Sequence, residues 1–339
     1  MKFATLLAAG LLTCGPPAQA TDAPLVLVRS MVIPDVPVGP YAASLAIDLG
    51  GRRIFATPQA SKTVAVLDLE TGRVLKRLPV GNPHGLFFSP TLKRLFATDG
   101  ASGDEKVFSG EDYSLLKTIP LTVGADALSF DPKTGFLYAN NGGGDAGMDH
   151  GIVSVIDTVR MEKVADIAIP APDLEGSSLD SDRQLLYVEG ESAVFVVDLR
   201  TRRVVSTWKM PSGHRTKAIA LDAPRSRVYL ACRDTGLYGS ILVLDTSGGR
   251  VVATLPIGGW AGGISLDHKR NRIYVSAGVG RVETYSIEPN DVYHREPPVD
   301  TDIMAKTSLY SSEIDRLYVS VPHLGDYGSA EVMEFEPAR

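Results

Sequence analysis

The sequence predicts an all-β protein, a seven-bladed β-propeller built from four-stranded antiparallel blades. A hairpin segment recurs along the chain, and no stretch after residue 20 shows sustained helical periodicity. An aromatic residue marks the second strand of each copy: Phe55, Phe96, Tyr138, Tyr187, Tyr229, Tyr274 and Tyr318. The spacings between them are 41, 42, 49, 42, 45 and 44 residues. A repeat of this length with several short strands is typical of one propeller blade.

The first twenty residues have the pattern of a secretory signal. Lys2 is followed by an apolar run from residue 3 to 13 and by the small-residue cleavage pattern Ala18-Gln19-Ala20. We expect cleavage after Ala20 and a periplasmic or secreted protein. Lipid anchoring through Cys14 is the alternative, because residues 11–14 resemble a lipobox. Residues 21–339 then form one propeller domain, in which no stretch has the length and apolarity of a membrane span.

Composition excludes several classes of function. Without the signal segment Cys232 is the only cysteine, so no intramolecular disulfide can form. The formal net charge of −6 becomes about −7 once Lys2 is lost, and the basic residues are scattered, which argues against nucleic acid as a partner. The chain also lacks a Walker loop, a CxxCH haem motif, an HExxH zinc motif and a GxSxG elbow. We expect a monomer without a transmembrane segment.

The N-terminal strand is predicted to close the ring. Residues 25–33 form a strand-like run that has no hairpin partner of its own. The last repeat supplies only three such runs, at residues 307–310, 316–321 and 330–335. Pairing the N-terminal strand with the last blade completes four strands there and leaves no open seam.

Each complete repeat is predicted to contain four strands, and the innermost one shows how the blades pack. In the first repeat the strands cover residues 44–48, 53–57, 64–69 and 74–80. Mostly large apolar residues lie ten and eight positions before the aromatic residue, whereas mostly small residues lie eleven and nine before it. Large faces meeting small faces let neighbouring blades interdigitate. An aspartate seven before the aromatic residue is predicted to cap the hairpin turn in five repeats: Asp48, Asp131, Asp180, Asp222 and Asp267.

These repeats resemble the YVTN-repeat β-propellers, also called YncE-like. The resemblance rests on segments such as RLFAT at 94–98, RIYVS at 272–276 and RLYVS at 316–320, and on the Val-x-Val-x-Asp pattern of the third strands. It implies the propeller fold over essentially the whole chain after residue 20, but no single function, because propellers that look like this include binding proteins and enzymes. In a narrower exported subgroup that the chain also resembles, acidic residues open the sixth blade. Here that segment is Trp260-Ala261-Gly262-Gly263, so it offers no acids for a metal site.

The position twelve residues before each aromatic residue carries the functional signal. In a propeller, equivalent positions at the start of the inner strands form a ring at one mouth of the central channel. Here that ring reads Ala43, His84, Asp126, Glu175, Lys217, Gly262 and Lys306. Five ionisable residues in one ring perturb each other's pKa values, as functional sites often do.

We interpret part of this ring as a candidate active site. His84, Asp126 and Glu175 are candidate catalytic acid or base groups and tentative ligands for a divalent metal ion, the one cofactor that the pattern suggests. Lys217 and Lys306 are candidates to bind an anionic group. The same charges also fit a solvated ring whose members simply compensate each other.

Loops near the mouth add further candidates. Those for ligand binding are Arg233, Asn140, Asn141, Tyr41 and Trp260. The long loop from residue 141 to 151 contains His150, and His323 follows the second strand of the last repeat, so both are secondary candidate metal ligands. This loop either covers the site or is a surface excursion.

Two functions follow from these residues. The first is an exported propeller that binds a small-molecule ligand or an exported protein partner at the channel mouth. The second is a metal-assisted enzyme, of hydrolase or lyase type, that acts there on a small lactone, carboxylate or sugar derivative.

Overall fold

A computed structural model describes residues 23–339. The predicted signal segment and Cys14 lie outside these residues. Within them the chain forms seven antiparallel sheets, one for each predicted repeat, together with four short 3-10 helices. These helices are Gln59–Ser61, Gly143–Ala146, Pro289–Asp291 and Gly325–Tyr327. None of the helices in residues 23–339 has the length and apolarity needed to cross a membrane.

The strands follow the chain in order, beginning with β1 (Leu25–Val32). Blade 1 contains β2 (Ala42–Asp48), β3 (Arg53–Pro58), β4 (Thr63–Asp68) and β5 (Val74–Pro79). Blade 2 contains β6 (Pro83–Ser89), β7 (Arg94–Asp99), β8 (Asp104–Ser109) and β9 (Leu115–Pro120). Blade 3 contains β10 (Ala125–Phe130), β11 (Phe136–Asn141), β12 (Gly151–Asp157) and β13 (Glu162–Ile169). Blade 4 contains β14 (Leu174–Asp180), β15 (Leu185–Gly190), β16 (Ala193–Asp198) and β17 (Arg203–Lys209). Blade 5 contains β18 (Arg215–Asp222), β19 (Arg227–Arg233), β20 (Tyr238–Asp245) and β21 (Val251–Gly258).

The last two blades depart from this simple pattern. Blade 6 contains β22 (Ala261–Asp267), β23 (Arg272–Ala277), β24 (Arg281–Glu288), β25 (Val292–Arg295) and β26 (Val299–Asp300). Four strands were predicted here, but β25 and β26 both pair with β24, so the outer position is shared by two short strands. Blade 7 contains β27 (Thr307–Ser311), β28 (Arg316–Val321) and β29 (Glu331–Pro337).

The N-terminal strand closes the ring, as predicted. Strand β1 pairs antiparallel with β29 and becomes the outermost strand of blade 7. The Arg29 guanidinium donates to the Glu334 carboxylate over 2.6 Å across this pair. The inner strands contact one another around the ring, including β27 against β2. Covering the edge of β29 in this way removes a free strand edge from the ring.

The core lies between the blades, where the marker aromatic residues are all buried. Rings of adjacent blades meet there, such as Phe87 and Phe130 with centroids 4.4 Å apart. Small residues on the inner strands allow this approach. A Cβ atom at Gly85 would lie 2.3 Å from the Asp126 carbonyl oxygen and 3.0 Å from Leu128 Cγ of the next blade, so a larger side chain would clash. The predicted interlocking of large and small faces is confirmed at this contact.

The recurrent aspartates cap their hairpin turns, as predicted. Asp131 accepts a hydrogen bond from the Lys133 backbone N–H at 3.0 Å, and Asp267 accepts one from the Lys269 N–H at the same distance. These carboxylates satisfy turn N–H groups that would otherwise lack a partner. They therefore have a structural role on the face opposite the mouth.

Candidate functional site

A β-bulge positions the ring residue in each of the first six blades. In each of these blades the pairing between the innermost strand and the second strand shifts register. The shift begins at the residue thirteen positions before the marker aromatic residue and ends two or three residues later. The ring residue lies inside the shift in every case: Ala43, His84, Asp126, Glu175, Lys217 and Gly262. A bulge leaves one residue out of the ladder and redirects its side chain. Lys306, the seventh member, immediately precedes β27.

Side chains of the preceding blade fix the bulges in place. The Thr98 hydroxyl donates to the Asp126 carbonyl oxygen over 3.0 Å, and the Asn140 amide donates to the Glu175 carbonyl oxygen over 2.8 Å. These bonds pair main-chain groups that the bulge removes from the sheet. Six of the seven ring residues are therefore held on rigid strands.

All seven ring positions line one cavity of about 660 Å³ at the mouth. Its charges are divided between two sides. His84 and Asp126 come from blades 2 and 3, whereas Lys217 and Lys306 come from blades 5 and 7. The cavity thus has an acidic side and a basic side that face each other.

His84 and Asp126 form the centre of the acidic side. His84 Nδ1 lies 3.3 Å from Asp126 Oδ1. The amide nitrogens of Gln59 and Asn82 donate to His84 Nε2 over 3.0 and 3.1 Å. Burial disfavours the charged imidazole, but the hydrogen bond and charge of Asp126, with help from Asp145, outweigh it and raise the His84 pKa. His84 is therefore held between a carboxylate and two amides.

Glu175 and Lys217 form an ion pair between the two sides. Burial, together with the nearby Asp126 charge, raises the Glu175 pKa in spite of Lys217. A second carboxyl, that of Glu189, lies behind Glu175, and within the described residues 23–339 neither of its oxygens has a hydrogen-bond partner. Burial and the Glu175 charge hold the pKa of Glu189 well above its usual range. Across residues 23–339 Lys217 thus pairs with Glu175 alone, and the Glu189 carboxyl stays buried behind this pair.

Lys306 is the buried cation of the basic side. Its side chain is only 8% exposed, and its Nζ lies 4.5 Å from the centre of the Tyr41 ring. Its Nζ forms no ion pair or hydrogen bond within residues 23–339, and Glu175, which lies between the two sides, is bound to Lys217 instead. Burial, with the charges of Arg233 and Lys217, lowers the pKa of Lys306 to about 8.

The other predicted ligand-binding residues divide into two groups. Tyr41 and Arg233 line the cavity, and Trp260 stands beside it with the Arg233 guanidinium 5.7 Å from its ring centre. Asn140 and Asn141 correct the prediction. Both are fully buried and do not line the cavity: the Asn140 amide supports the Glu175 main chain from behind, and the Asn141 amide donates to carbonyl oxygens of its own blade.

The predicted metal ligands are not gathered around one point. His150 bonds Asp149 on an exposed loop, and His323 Nδ1 lies 2.5 Å from the Val36 carbonyl oxygen, which ties the N-terminal segment to blade 7. Neither residue lines the mouth cavity. Across residues 23–339 no group of three or more His, Cys, Asp or Glu side chains has an arrangement that could hold a metal ion. Metal binding by His84, Asp126 and Glu175 stays a prediction.

Several residues at the mouth were missed from the sequence. They are Gln59, Asn82, Asp173, Glu191, Arg215 and Tyr238. Three of them, Asn82, Asp173 and Arg215, occupy the position fourteen residues before the marker aromatic residue. Tyr41 and Trp260 occupy the same position in blades 1 and 6. These residues form a second ring, two positions before the first in each repeat. The alignment on the aromatic residues would have identified this second ring as well.

Comparison with known proteins places the chain among propellers. No family model matches it. Two curated relatives, each named as the uncharacterized protein YncE, come from Salmonella typhimurium and Salmonella typhi. They are 29% and 28% identical over 102 residues, which is 30% of this chain and 28% of each relative. The match thus spans just over a quarter of the relatives' length.

Solved structures with the same fold cover nearly the whole chain. A chain from the Kuenenia stuttgartiensis hydrazine synthase aligns with a TM-score of 0.75 and 16% identity, over 88% of this chain and 96% of the other. A chain from the mitotic checkpoint complex aligns with a TM-score of 0.74 and 13% identity, over 100% and 99%. Identities this low establish the fold alone.

Proposed function

We propose that this chain, a YncE-like seven-bladed β-propeller, binds a small organic anion at the mouth of its central channel. The anionic group is a carboxylate or a phosphate. The single observation that carries the proposal is Lys306, a residue only 8% exposed whose side chain lines the cavity and which no carboxylate in residues 23–339 neutralises.

A buried cation without a counter-ion is costly, which is the physical basis of the proposal. An ammonium loses hydration free energy on burial and normally recovers part of it from a paired anion. Lys306 instead faces a tyrosine ring and shares its side of the cavity with Lys217 and Arg233. A bound anion would supply the missing partner, and three basic groups would converge on it.

The cavity has the size and composition of a small-molecule site. Its volume of about 660 Å³ lies within the range of ligand pockets, which is a few hundred to about a thousand Å³. On the far wall Asp126 accepts and the amides of Gln59 and Asn82 donate hydrogen bonds, so a polar end of the ligand finds both kinds of partner there. The bulge that carries Asp126 and the bonds of Gln59 and Asn82 to His84 preorganise these groups, which lowers the entropy lost on binding.

A thermal-shift screen of matched acids and amides tests the proposal. Purified protein is heated with acetate, benzoate, glucuronate or phosphate, and separately with the neutral amides acetamide and benzamide. We expect at least one anion to raise the unfolding midpoint, because a ligand that binds only the folded state stabilises it by mass action. Equal shifts from acids and amides, or no shift from any anion, would contradict the proposal.

The same screen addresses the metal-assisted alternative. Divalent cations are added alone, to wild type and to the variants His84→Ala and Glu175→Gln. A cation that stabilises wild type but neither variant would favour the enzyme over the binding protein. Export, which the pattern of residues 1–20 predicts, is a further proposal, and cell fractionation tests it.

A further inference from the structure

A side pocket of about 340 Å³ adjoins the mouth cavity on the outside of blades 5 and 6. It is lined by Arg215, Lys217, Arg233, Asp234, Gly236, Tyr238 and Trp260. Lys217 and Arg233 also line the mouth cavity, so these two cations form the wall between the two spaces. Gly262, the ring member beside this wall, has no side chain, and a Cβ atom there would lie 3.1 Å from Lys306 Cγ. One ligand could therefore occupy both spaces.

The side pocket combines positive charge with two exposed aromatic side chains. Its one carboxylate, Asp234, is bound to His214 over 2.8 Å and to the Ser240 hydroxyl over 3.3 Å. Arg215 pairs with Glu191 at 2.5 Å on the solvent side, where ion pairs are weak. Trp260 and Tyr238 nevertheless remain 45% and 74% exposed. Single exposed aromatic residues are common, but two that line the same pocket are a feature of ligand-binding grooves.

Trp260 also has a backbone conformation that disfavours a large side chain. Its φ of 62° lies in the left-handed region, where glycine is comfortable and other residues are strained. The structurally equivalent residue of blade 3 is Gly124, with a φ of 81°. In both blades the carbonyl oxygen of this residue accepts a hydrogen bond from a later glycine, Gly142 in blade 3 and Gly278 in blade 6. Trp260 thus holds a large side chain in a conformation that glycine adopts in blade 3, and Met304, at the equivalent position of blade 7, shares its φ of 62°.

The interactions of the Trp260 ring do not account for this strain. The Arg233 guanidinium lies 5.7 Å from the ring centre, a contact that leaves much of the ring in water. Arg233 is held separately by its own bond to the Ala261 carbonyl oxygen, at 2.9 Å. The protein thus retains a strained and half-exposed indole directly beside a cluster of cations.

We propose that the anion bound at the mouth carries a ring that lies in the side pocket against the indole of Trp260. The inference rests on the proposed anion site and narrows its ligand to a ring-bearing acid. The acid group binds Lys306, Lys217 and Arg233, and the flat apolar face of the ring stacks on Trp260 beside Tyr238. Both an aromatic carboxylate and a sugar acid have this chemistry.

Calorimetric titration with three carboxylates tests the inference. Acetate carries the acid group alone, benzoate adds an aromatic ring, and glucuronate adds a sugar ring. We expect benzoate or glucuronate to bind about two- to tenfold more tightly than acetate, the factor that stacking on an aromatic side chain contributes. The ring acid that gains this affinity identifies which of the two chemistries the pocket accepts.

The variants Trp260→Gly and Met304→Gly isolate the contribution of the indole. Met304 has the same left-handed conformation, with a φ of 62°, so both variants relieve the same backbone strain. Trp260→Gly should lower the affinity for the ring acid to that for acetate and leave acetate binding unchanged. Met304→Gly should leave every affinity unchanged.

Three results would overturn the inference, and each has a separate meaning. Ring acids that bind no more tightly than acetate would refute the side-pocket ligand while the anion site stands. Weaker acetate binding in Trp260→Gly would show that the indole acts by placing Arg233 rather than by stacking. If none of the three acids binds wild type, the anion site itself is wrong, and the inference fails with it.

Discussion

The Lys306 ammonium of blade 7 lies 4.5 Å from the centre of the Tyr41 ring of blade 1, across the seam where the propeller closes. An aromatic face stabilises a cation much less than a carboxylate does when both are withdrawn from water. Lys306 is therefore positioned and buried, but only partly compensated. The basic side of the mouth therefore holds a positive charge that a bound anion would compensate.

Anion affinity should depend on pH through Lys306. Burial and the charges of Arg233 and Lys217 lower its pKa to about 8, so the ammonium loses its proton above that value. Because acetate is charged throughout this range, its affinity should be constant below pH 7 and about tenfold weaker at pH 9. In Lys306→Arg the decline should disappear, since a guanidinium keeps its charge. Calorimetry at several pH values measures both; an affinity that stays flat in wild type would contradict the role of Lys306.

The interaction of His84 Nδ1 with the Asp126 carboxylate should control the titration of His84. Burial alone would lower the pKa of His84, and the Asp126 interaction reverses this effect. In Asp126→Asn the His84 pKa should therefore fall below its wild-type value, as followed by NMR of the imidazole Hε1 proton. Since the raised pKa stabilises the folded state at low pH, the variant should lose stability below about pH 6.5 and match wild type at higher pH. A His84 pKa that is unchanged in the variant would show that the pair does not interact.

Glu105 should be a destabilising residue at neutral pH. It is fully buried in blade 2, neither carboxyl oxygen has a hydrogen-bond partner among residues 23–339, and burial holds its pKa well above the usual range. The folded state keeps a proton that the unfolded chain releases above about pH 4.5, so this residue lowers stability as the pH rises. Glu105→Gln should stabilise the protein by roughly 1–3 kcal/mol at pH 7, measured by urea unfolding.

Glu283 provides the matched control for Glu105. It is equally buried, but it accepts hydrogen bonds from the Arg295 guanidinium at 2.7 Å and the Gly258 N–H at 2.9 Å. Glu283→Gln should therefore destabilise the fold, because it leaves a charged partner uncompensated. The same sign of change in both variants would contradict the assignment of Glu105 as an unsatisfied carboxyl.

The closing strand should contribute to global stability through one buried side chain. Met31 of β1 is buried between blades 7 and 1, whereas its neighbour Val32 points to solvent. Met31→Ala should cost about 2–5 kcal/mol in urea unfolding, and Val32→Ala should change stability by less than about 0.5 kcal/mol. If the two variants are equally stable, the packing of β1 does not hold the ring closed.

The fold was predictable because the same hairpin sequence pattern recurs in every blade. Seven registered copies of one hairpin locate the buried aromatic residues from Phe55 to Tyr318, and the unpaired N-terminal run identified the closing strand. The shared outer position of β25 and β26 in blade 6 was not predictable, since short edge strands have no distinctive pattern.

The sequence predicted which ring residues meet at the mouth, but it predicted neither their neighbours nor the geometry of their contacts. The alignment correctly brought His84, Asp126 and Glu175 to the same mouth, because equivalent positions of a symmetric fold are equivalent in space. The bulges set the directions of the ring side chains, and these directions decide which carboxylate pairs with which base. The bulges could not be predicted, because no characteristic residue marks them in these strands. For the same reason Asn140 was mistaken for a residue that contacts ligand, although it supports Glu175 from behind.

The most direct test of the anion site compares acetate binding to Lys306→Met with binding to Lys117→Met. Lys117 lies exposed on the outer strand β9, so its variant removes the same net charge far from the mouth. Calorimetric titration should show at least a tenfold loss of acetate affinity in Lys306→Met and wild-type affinity in Lys117→Met. The unfolding midpoint of Lys306→Met should not fall below that of wild type, because the substitution removes an unpaired charge. Undiminished acetate binding to Lys306→Met would contradict the account.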